Sequence, residues 1–512
     1  MNCLKGLGAF AFALALGAVA PLWAQDQLIR APEVEEAYNQ GVQLLEEQRY
    51  PEAVAALNQA IALDGAYPDA FIAKGNALKA MEDYAGAGAA YSRALEFNAN
   101  SAEAYNGRGE TYMEMSPPDY NLASNDFTNA LNLDRSNAAA LSNLGHVLVT
   151  SGQDPANALR VLDEALALND KDARAYRDRG MAHAQLREFE KSVADMKSAI
   201  QADPADYENY STLASIYLFQ DDYAEAAEAL SSAIENYKPK KRGEPDKFIS
   251  GYILRADARL KLAEKEETGA ARTAALEGAV ADANAVLDVY DERFPESGRA
   301  LFRRGRAERM LERYSDAVDS LTKAIAMIPA GQDIEYVSDA YLFRGICWYY
   351  IGSLDLARGD FEQASSVGGG FSDPRIFLWI GYTYHRQEDY REAIDAYSEA
   401  IAKAPGFALA HINKGRAYMD LGEYSKAVES FNNAIRSEPD VGQHYYNVGM
   451  AYIQLEEYQK AVDFLNLALR KENPQPEMYR QMALALRALG RTDLADEYER
   501  QAESAASSTP TS

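Results

Sequence analysis

Between Ala410 and Leu421 the larger apolar residues Ile412, Tyr418 and Met419 share one face of a helix. Glu423-Tyr424-Ser425 interrupts that pattern, and Lys426 to Ser437 resumes it with Ala427, Phe431, Ala434 and Ile435. The segment therefore predicts two helices joined by a short turn, and the same arrangement recurs along the chain. Glycines stand at Gly41, Gly75, Gly109, Gly145 and Gly180, spaced 34, 34, 36 and 35 residues apart. A second series, Gly305, Gly345, Gly381, Gly415 and Gly449, is spaced 40, 36, 34 and 34. Twelve residues after Gly41 begins a small, large, small triplet, Ala53, Leu57 and Ala60; it returns after Gly75 as Ala87, Tyr91, Ala94 and after Gly415 as Ala427, Phe431, Ala434. A glycine inside a helix costs about 1 kcal/mol against alanine. One that recurs at a fixed place implies that a neighbouring helix comes close there. Pro204, Pro329, Pro405 and Pro439 fall between units, where a helix must end.

These residues resemble the tetratricopeptide repeat (TPR) family, whose 34-residue unit carries Gly, Tyr, Ala, an aromatic residue, Ala and Pro in fixed order. Residues 408 to 441 match it with Gly415, Tyr418, Ala427, Phe431, Ala434 and Pro439. About thirteen units are expected between residues 34 and 507, with Ala214, Ala256 and Ala483 replacing the glycine in the sixth, seventh and last. The resemblance implies an all-α fold, a right-handed superhelical α-solenoid of about thirteen helix-turn-helix repeats. It also implies a concave groove, lined by the first helix of each unit, that binds an extended peptide or a partner's helix.

Units 1 to 6 are expected over residues 34–238, a divergent seventh over 239–297, and units 8 to 13 over 298–503 with a solvent-facing capping helix. A linker at 25–33 and a disordered tail at 504–512 complete the division. In the seventh unit, Glu264 to Thr273 reads as an inter-helix connection lengthened by about eleven residues, and Ala279, Ala283 and Val286 hold the triplet poorly. A bend and a weak joint between two halves are expected there.

Charge narrows the function. Lys and Arg total 51 and Asp and Glu 78, for a net charge of −27. Such an acid excess repels phosphate backbones and anionic lipid, so no nucleic-acid partner is expected. Residues 1–24 read as an export signal, with Lys5, an apolar run from Gly6 to Ala20, and a cleavage point after Ala24 or Ala20. The run falls short of the roughly 20 residues of a spanning helix, so the mature chain is expected to lack a transmembrane segment. The expected location is a bacterial periplasm, or secretion. Losing Cys3 would leave Cys347 alone, which excludes an intramolecular disulfide and a cysteine-based zinc site; Cys347 itself reads as a buried, inert thiol. The histidines follow no metal-ligand spacing, so no metal and no cofactor are expected. His183 and His411 read as core or rim residues, whereas His146 and His385 point towards a groove.

No nucleophile motif, phosphate loop or carboxylate dyad stands out, so no catalytic residue is expected and the chain reads as a non-enzyme. Candidate binding residues fall into two sets. Asn39, Asn143, Asn413 and Asn447 occupy one inward position in four units, and a row of carboxamides can pair with successive backbone amides of a peptide. The row resembles the asparagine ladder in the TPR arm of O-linked N-acetylglucosamine transferase. The second set is the stripe Arg299, Arg303, Arg306 and Arg309, joined by Phe343, Tyr349, Tyr350, Trp379, Tyr382, His385 and Arg386 from the next two units. Arginines supply bidentate donors and rings supply apolar area. The set suits an acidic peptide with aromatic or aliphatic anchors, or a partner's terminal carboxylate. A plainer reading pairs the arginines with Asp257, Glu308 and Asp339. The function expected is an exported scaffold that binds a protein or peptide and supports envelope or periplasmic assembly. The alternatives are an accessory subunit of a polysaccharide export or secretion system, and a cryptic groove-based hydrolase.

Overall fold

The computed structural model describes residues 30–152, 154–239, 247–266, 268–290, 294–327, 334–367, 373–471 and 475–508. The expected signal at 1–24, residues 25–29 of the linker, residues 240–246 at the start of the seventh unit and the last four residues lie outside them. The described residues form 26 helices in two compact units that divide between Thr212 and Leu213.

In the first unit, α1 (Pro32–Glu46) pairs with α2 (Tyr50–Leu63), α3 (Pro68–Ala80) with α4 (Tyr84–Phe97), and α5 (Ala102–Glu114) with α6 (Tyr120–Leu133). Then α7 (Ala138–Ser151) pairs with α8 (Pro155–Leu168) and α9 (Ala173–Gln185) with α10 (Phe189–Ala202). The division falls within α11 (Tyr207–Phe219). The second unit continues with α12 (Tyr223–Asn236) and pairs α13 (Ile249–Lys265) with α14 (Ala270–Leu287), α15 (Pro295–Met310) with α16 (Tyr314–Met327), and α17 (Ile334–Ile351) with α18 (Leu354–Ser366). It closes with α19 (Pro374–Arg386) and α20 (Tyr390–Lys403), α21 (Ala408–Asp420) and α22 (Tyr424–Ser437), α23 (Gly442–Gln454) and α24 (Tyr458–Leu469), and α25 (Pro476–Ala488) and α26 (Thr492–Ser508).

The pairs that carry the glycine are held by the close approach it implies. A Cβ added to Gly75 would lie 2.7 Å from the Tyr91 ring, one at Gly109 2.7 Å from Phe127, and one at Gly415 2.5 Å from Phe431. The large residue of the triplet thus sits on bare backbone of the first helix, and its small neighbours let the second helix lie close. Ala87, Tyr91 and Ala94 are all fully buried as a result. The turn inside a pair passes through one left-handed residue: Gln48, Glu82, Arg187, Glu312, Glu388 and Glu456 have φ near 60°, and Gly352, Gly422 and Gly490 hold the same place elsewhere. Asp83, Asp119 and Asp154 then cap α4, α6 and α8 by accepting the backbone N–H of Gly86, Leu122 and Asn157. Apolar clusters run from each pair into the next, as from Phe127 through Leu141 and Leu144 to Val161.

The seventh pair differs from expectation. Glu264 to Thr273 is no long connection: α13 has 17 residues and α14 has 18, where α9 and α10 have 13 and 14. The extra residues, rich in Ala, Glu and Lys, favour helix and extend both elements. Ala279, Ala283 and Val286 are buried, and Asp282, 2% exposed, accepts from Arg255 (2.6 Å) and Arg259 (2.6 Å). The pair is interlocked, and the division between compact units falls earlier in the chain. Nor does a tail begin at residue 504, because α26 continues to Ser508 and buries Ala502 on its way. No helix among the described residues is long and apolar enough to cross a membrane.

Candidate ligand-binding site

First helices of successive pairs touch one another as well as their partners: α1, α3, α5, α7 and α9 in the first unit, and α13, α15, α17 and α19 in the second. Their outward side chains form a continuous layer, and a stretch of it in each unit carries expected binding residues.

In the second unit the arginine stripe resolves into different environments. Arg303 is 5% exposed and grips Asp257 with two bonds (Nε to Oδ1 2.8 Å, Nη2 to Oδ2 2.6 Å), donating also to the Tyr336 hydroxyl at 3.0 Å. Burial alone would lower its pKa, but Asp257 outweighs burial and holds it above the ordinary arginine value. Arg306 donates to Glu264 at 2.6 Å. Arg299 is exposed. Glu308 turns away from the stripe to accept from Ser320 at 2.6 Å, and burial raises its pKa. The stripe is therefore not a free positive patch, since neighbouring acids take up its middle.

Arg309 is the exception. Its Nε, like that of Arg306, is buried without a hydrogen-bond partner, but unlike Arg306 it pairs with no carboxylate among the described residues. Its guanidinium lies 4.9 Å from the centre of the Phe343 ring, and burial pushes its pKa below the ordinary value. It lines a hollow of about 400 Å³ with Glu264, Glu266, Glu312, Tyr314 and Tyr350.

The rings continue from that hollow. Tyr350, 52% exposed, stacks on Tyr314 with centroids 4.8 Å apart; Tyr349 meets Trp379 edge-on at 5.4 Å, and Trp379 meets Tyr382 at 5.2 Å. Arg386 donates to the Tyr349 carbonyl at 2.6 Å and lies over the Tyr349 ring. Phe343 is buried beneath Arg306 and Arg309. The structure thus gathers Arg306, Arg309, Phe343, Tyr349, Tyr350, Trp379, Tyr382 and Arg386 into one run across α15, α17 and α19. His385 turns to Asp420 of α21, 2.9 Å away. Reading the sequence missed Tyr314, Glu266 and Glu312, which sit at helix ends. A tyrosine opens α2, α4, α6, α12, α16, α20, α22 and α24 alike, and that recurrence pointed to Tyr314.

The asparagines do not form a free ladder. Asn143 donates to Asn106 Oδ1 (3.1 Å) and Glu110 Oε1 (2.9 Å) and accepts from Arg174 (3.3 Å). Asn413 donates to the Leu409 carbonyl (2.7 Å) and the Tyr382 hydroxyl (3.2 Å). Asn447 accepts from Gln443 while its Nδ2 is buried without a partner, and Asn39 is exposed. Close packing of first helices brings the Asn143 and Asn413 carboxamides into bonds with side chains of other first helices. In the first unit that network, with the Lys79–Glu110 ion pair, borders a second hollow of about 400 Å³. His146 faces the buried Asp178 at 3.0 Å. His183 bonds Glu188 at 2.7 Å and His411 the Pro405 carbonyl at 2.9 Å. Cys347 is buried, which pushes its thiol pKa up to about 12. Among the described residues no group of three or more His, Cys, Asp or Glu is placed to hold a metal ion.

A family model described as tetratricopeptide repeat matches residues 142–207, 270–332, 349–408 and 412–477, and a TPR repeat model matches 75–116, together more than half of the chain. This chain belongs to the tetratricopeptide repeat family. Human tetratricopeptide repeat protein 13 is 29% identical over 108 residues, which are 21% of this chain and 12% of that protein; the match thus spans about an eighth of the curated relative. Among solved structures, YrrB, a TPR protein with an unusual peptide-binding site, is 28% identical, covering 35% of this chain and 92% of its own with a TM-score of 0.30. A TPR protein from Parabacteroides merdae ATCC 43184 is 17% identical over 54% of this chain and 99% of its own, with a TM-score of 0.40. Yeast Tom70 is 14% identical over 91% and 96%, with a TM-score of 0.37. The TPR fold is a protein-binding fold, and the aromatic run lies on the first helices of TPR units eight to ten.

Proposed function

We propose that this TPR chain is an exported scaffold that holds a protein or peptide partner against α15, α17 and α19. The observation that carries the reading is the unbroken ring contact from Tyr314 through Tyr350 and Trp379 to Tyr382, flanked by Arg309, which lines the same hollow as Tyr350, and by Arg386 over the Tyr349 ring. Rings of this kind supply anchoring area and arginines supply directional donors for carboxylate, so the partner suits an acidic segment with aromatic or aliphatic anchors. Export rests on the charge and apolar pattern of residues 1–24. From it follow the roles in envelope or periplasmic assembly, or beside a polysaccharide export or secretion apparatus.

Peptide display against the purified chain tests the binding reading. Selected peptides should carry such anchors, and their binding should alter the fluorescence of Trp379. The pair Tyr350→Ala and Arg386→Ala should weaken them about tenfold or more, corresponding to about 1.4 kcal/mol, without changing helical circular dichroism. Selected peptides that bind the double variant as tightly as the parent would refute it. Mass spectrometry of exported protein should find an N-terminus at Gln25, or after Ala20; an intact Met1 form would refute export with cleavage.

A further inference from the structure

The hollow beside Arg309 holds charges that the fold does not match to each other. It is built where α13, α15 and α17 end: Glu266 follows α13, Glu312 forms the turn after α15, and Tyr350 stands near the end of α17 against Tyr314. Of the other ionic groups around it, Glu264 is ion-paired, and Arg272 is tied to a backbone carbonyl with no ion pair among the described residues. Glu264 accepts from Arg306 at 2.6 Å and from Lys261 at 3.1 Å, and Arg272 donates to the Ala263 carbonyl at 3.3 Å. Arg309 is engaged by none of the described carboxylates, with its Nε sealed and unpaired. Glu266 and Glu312 are exposed and make no ion pair among the described residues.

A charged side chain whose Nε is buried without an acceptor is costly, and an acceptor brought from outside would meet charge-assisted donors on the rest of the guanidinium. A simple anion would also meet Glu266 and Glu312. A ligand that relieves all three must therefore carry both signs. The rings of Tyr350 and Tyr314 offer the same ligand an apolar wall, and about 400 Å³ is room for a small molecule or a short peptide segment.

We propose that this hollow binds a zwitterionic group: a carboxylate on Arg309, a neighbouring cation against Glu266 and Glu312, and an apolar body on Tyr350 and Tyr314. The proposal rests on the reading of this face as the ligand face and names the chemistry at one end of it. The zwitterion is either a free α-amino acid or an acidic and a basic residue on either side of an aromatic one in a bound peptide.

Titration calorimetry on the full chain separates these sources and tests the proposal. The probes are L-phenylalanine, its singly charged forms N-acetyl-L-phenylalanine and L-phenylalaninamide, and the doubly blocked peptide acetyl-Glu-Phe-Lys-amide. Binding of L-phenylalanine supports a free amino acid, and binding of the blocked peptide alone supports a peptide segment. In either case the singly charged forms should bind at least tenfold more weakly, and Arg309→Gln should abolish binding while retaining the helical circular dichroism. Glu266→Gln with Glu312→Gln should weaken the zwitterion and strengthen N-acetyl-L-phenylalanine, which a merely structural role for Arg309 does not explain. The proposal is overturned if neither L-phenylalanine nor the blocked peptide binds at about 10 mM, a concentration that fills even millimolar sites. It is overturned equally if the singly charged forms bind as well. Display-selected peptides that depend on Tyr350 and Arg386 but ignore Arg309→Gln would leave the broader scaffold reading standing and remove this one.

Discussion

At Gly415 one absent methyl group decides how a repeat closes. A Cβ there would meet Phe431 at 2.5 Å, well inside van der Waals contact, and both helices are pinned by other packing. Gly415→Ala should therefore destabilise by about 1–3 kcal/mol despite alanine's better helix propensity, and adding Phe431→Leu should recover part of the loss; chemical denaturation of the single and double variants checks this. Charge at single residues gives a second expectation. The Arg303–Asp257 pair is nearly sealed on the arginine side, so Arg303→Glu should lower the melting temperature by several degrees. Glu308 gives a pH signature. Burial raises its folded pKa, so its contribution is complete below the ordinary glutamate value of about 4.3 and is lost as pH rises through the raised value. Glu308→Gln should accordingly melt higher than the parent near pH 7 and gain nothing near pH 4. The small, large, small triplet was legible in the sequence because steric demand recurs with the repeat. The state of each arginine was not, because a guanidinium's partner is set by which helix lies opposite, 40 or more residues away in the chain for Arg303 and Arg306.

At the scale of elements, the turns and the seventh pair carry the argument. Glutamate at φ near 60° is strained where Gly422 and Gly490 are not. Glu456→Gly should leave the fold unchanged and stabilise it by up to about 1 kcal/mol, read from a thermal melt. A destabilised variant would mean that the Glu456 side chain has a role the turn geometry does not require. In α13 and α14 the long insertion became helix, and the two helices are locked through Asp282. Asp282→Ala would leave Arg255 and Arg259 partly buried without their carboxylate, at a cost of about 3–5 kcal/mol. Loss of less than about 1 kcal/mol in urea denaturation would mean that this joint is held by apolar contacts alone.

At the scale of the whole molecule, stacked units touch mainly their chain neighbours, so damage should stay local. Hydrogen exchange in Asp282→Ala should accelerate across α13 to α15 and leave α1 to α9 at parent rates; acceleration throughout would show a single cooperative unit. The net charge of −27 adds a discriminating test of the ligand. An acidic peptide approaches against the field of the chain, so its association should speed up as salt screens that field. A zwitterionic probe, neutral overall, should bind nearly independently of salt.

The all-α repeat architecture and the pairing of helices were legible along the chain, because each follows from a local, recurring steric pattern. Tertiary structure alone decided the rest. The inserted residues of the seventh pair lengthened helices, because α13 and α14 could pack along their extra turns. Asn143 and Asn413 were taken up by side chains of other first helices, since the stack brings Glu110, Asn106 and Tyr382 within hydrogen-bond reach. And of four arginines alike in the sequence, Asp257 and Glu264 reach Arg303 and Arg306 but not Arg309, because charge pairing depends on distances across the stack that spacing along the chain does not encode.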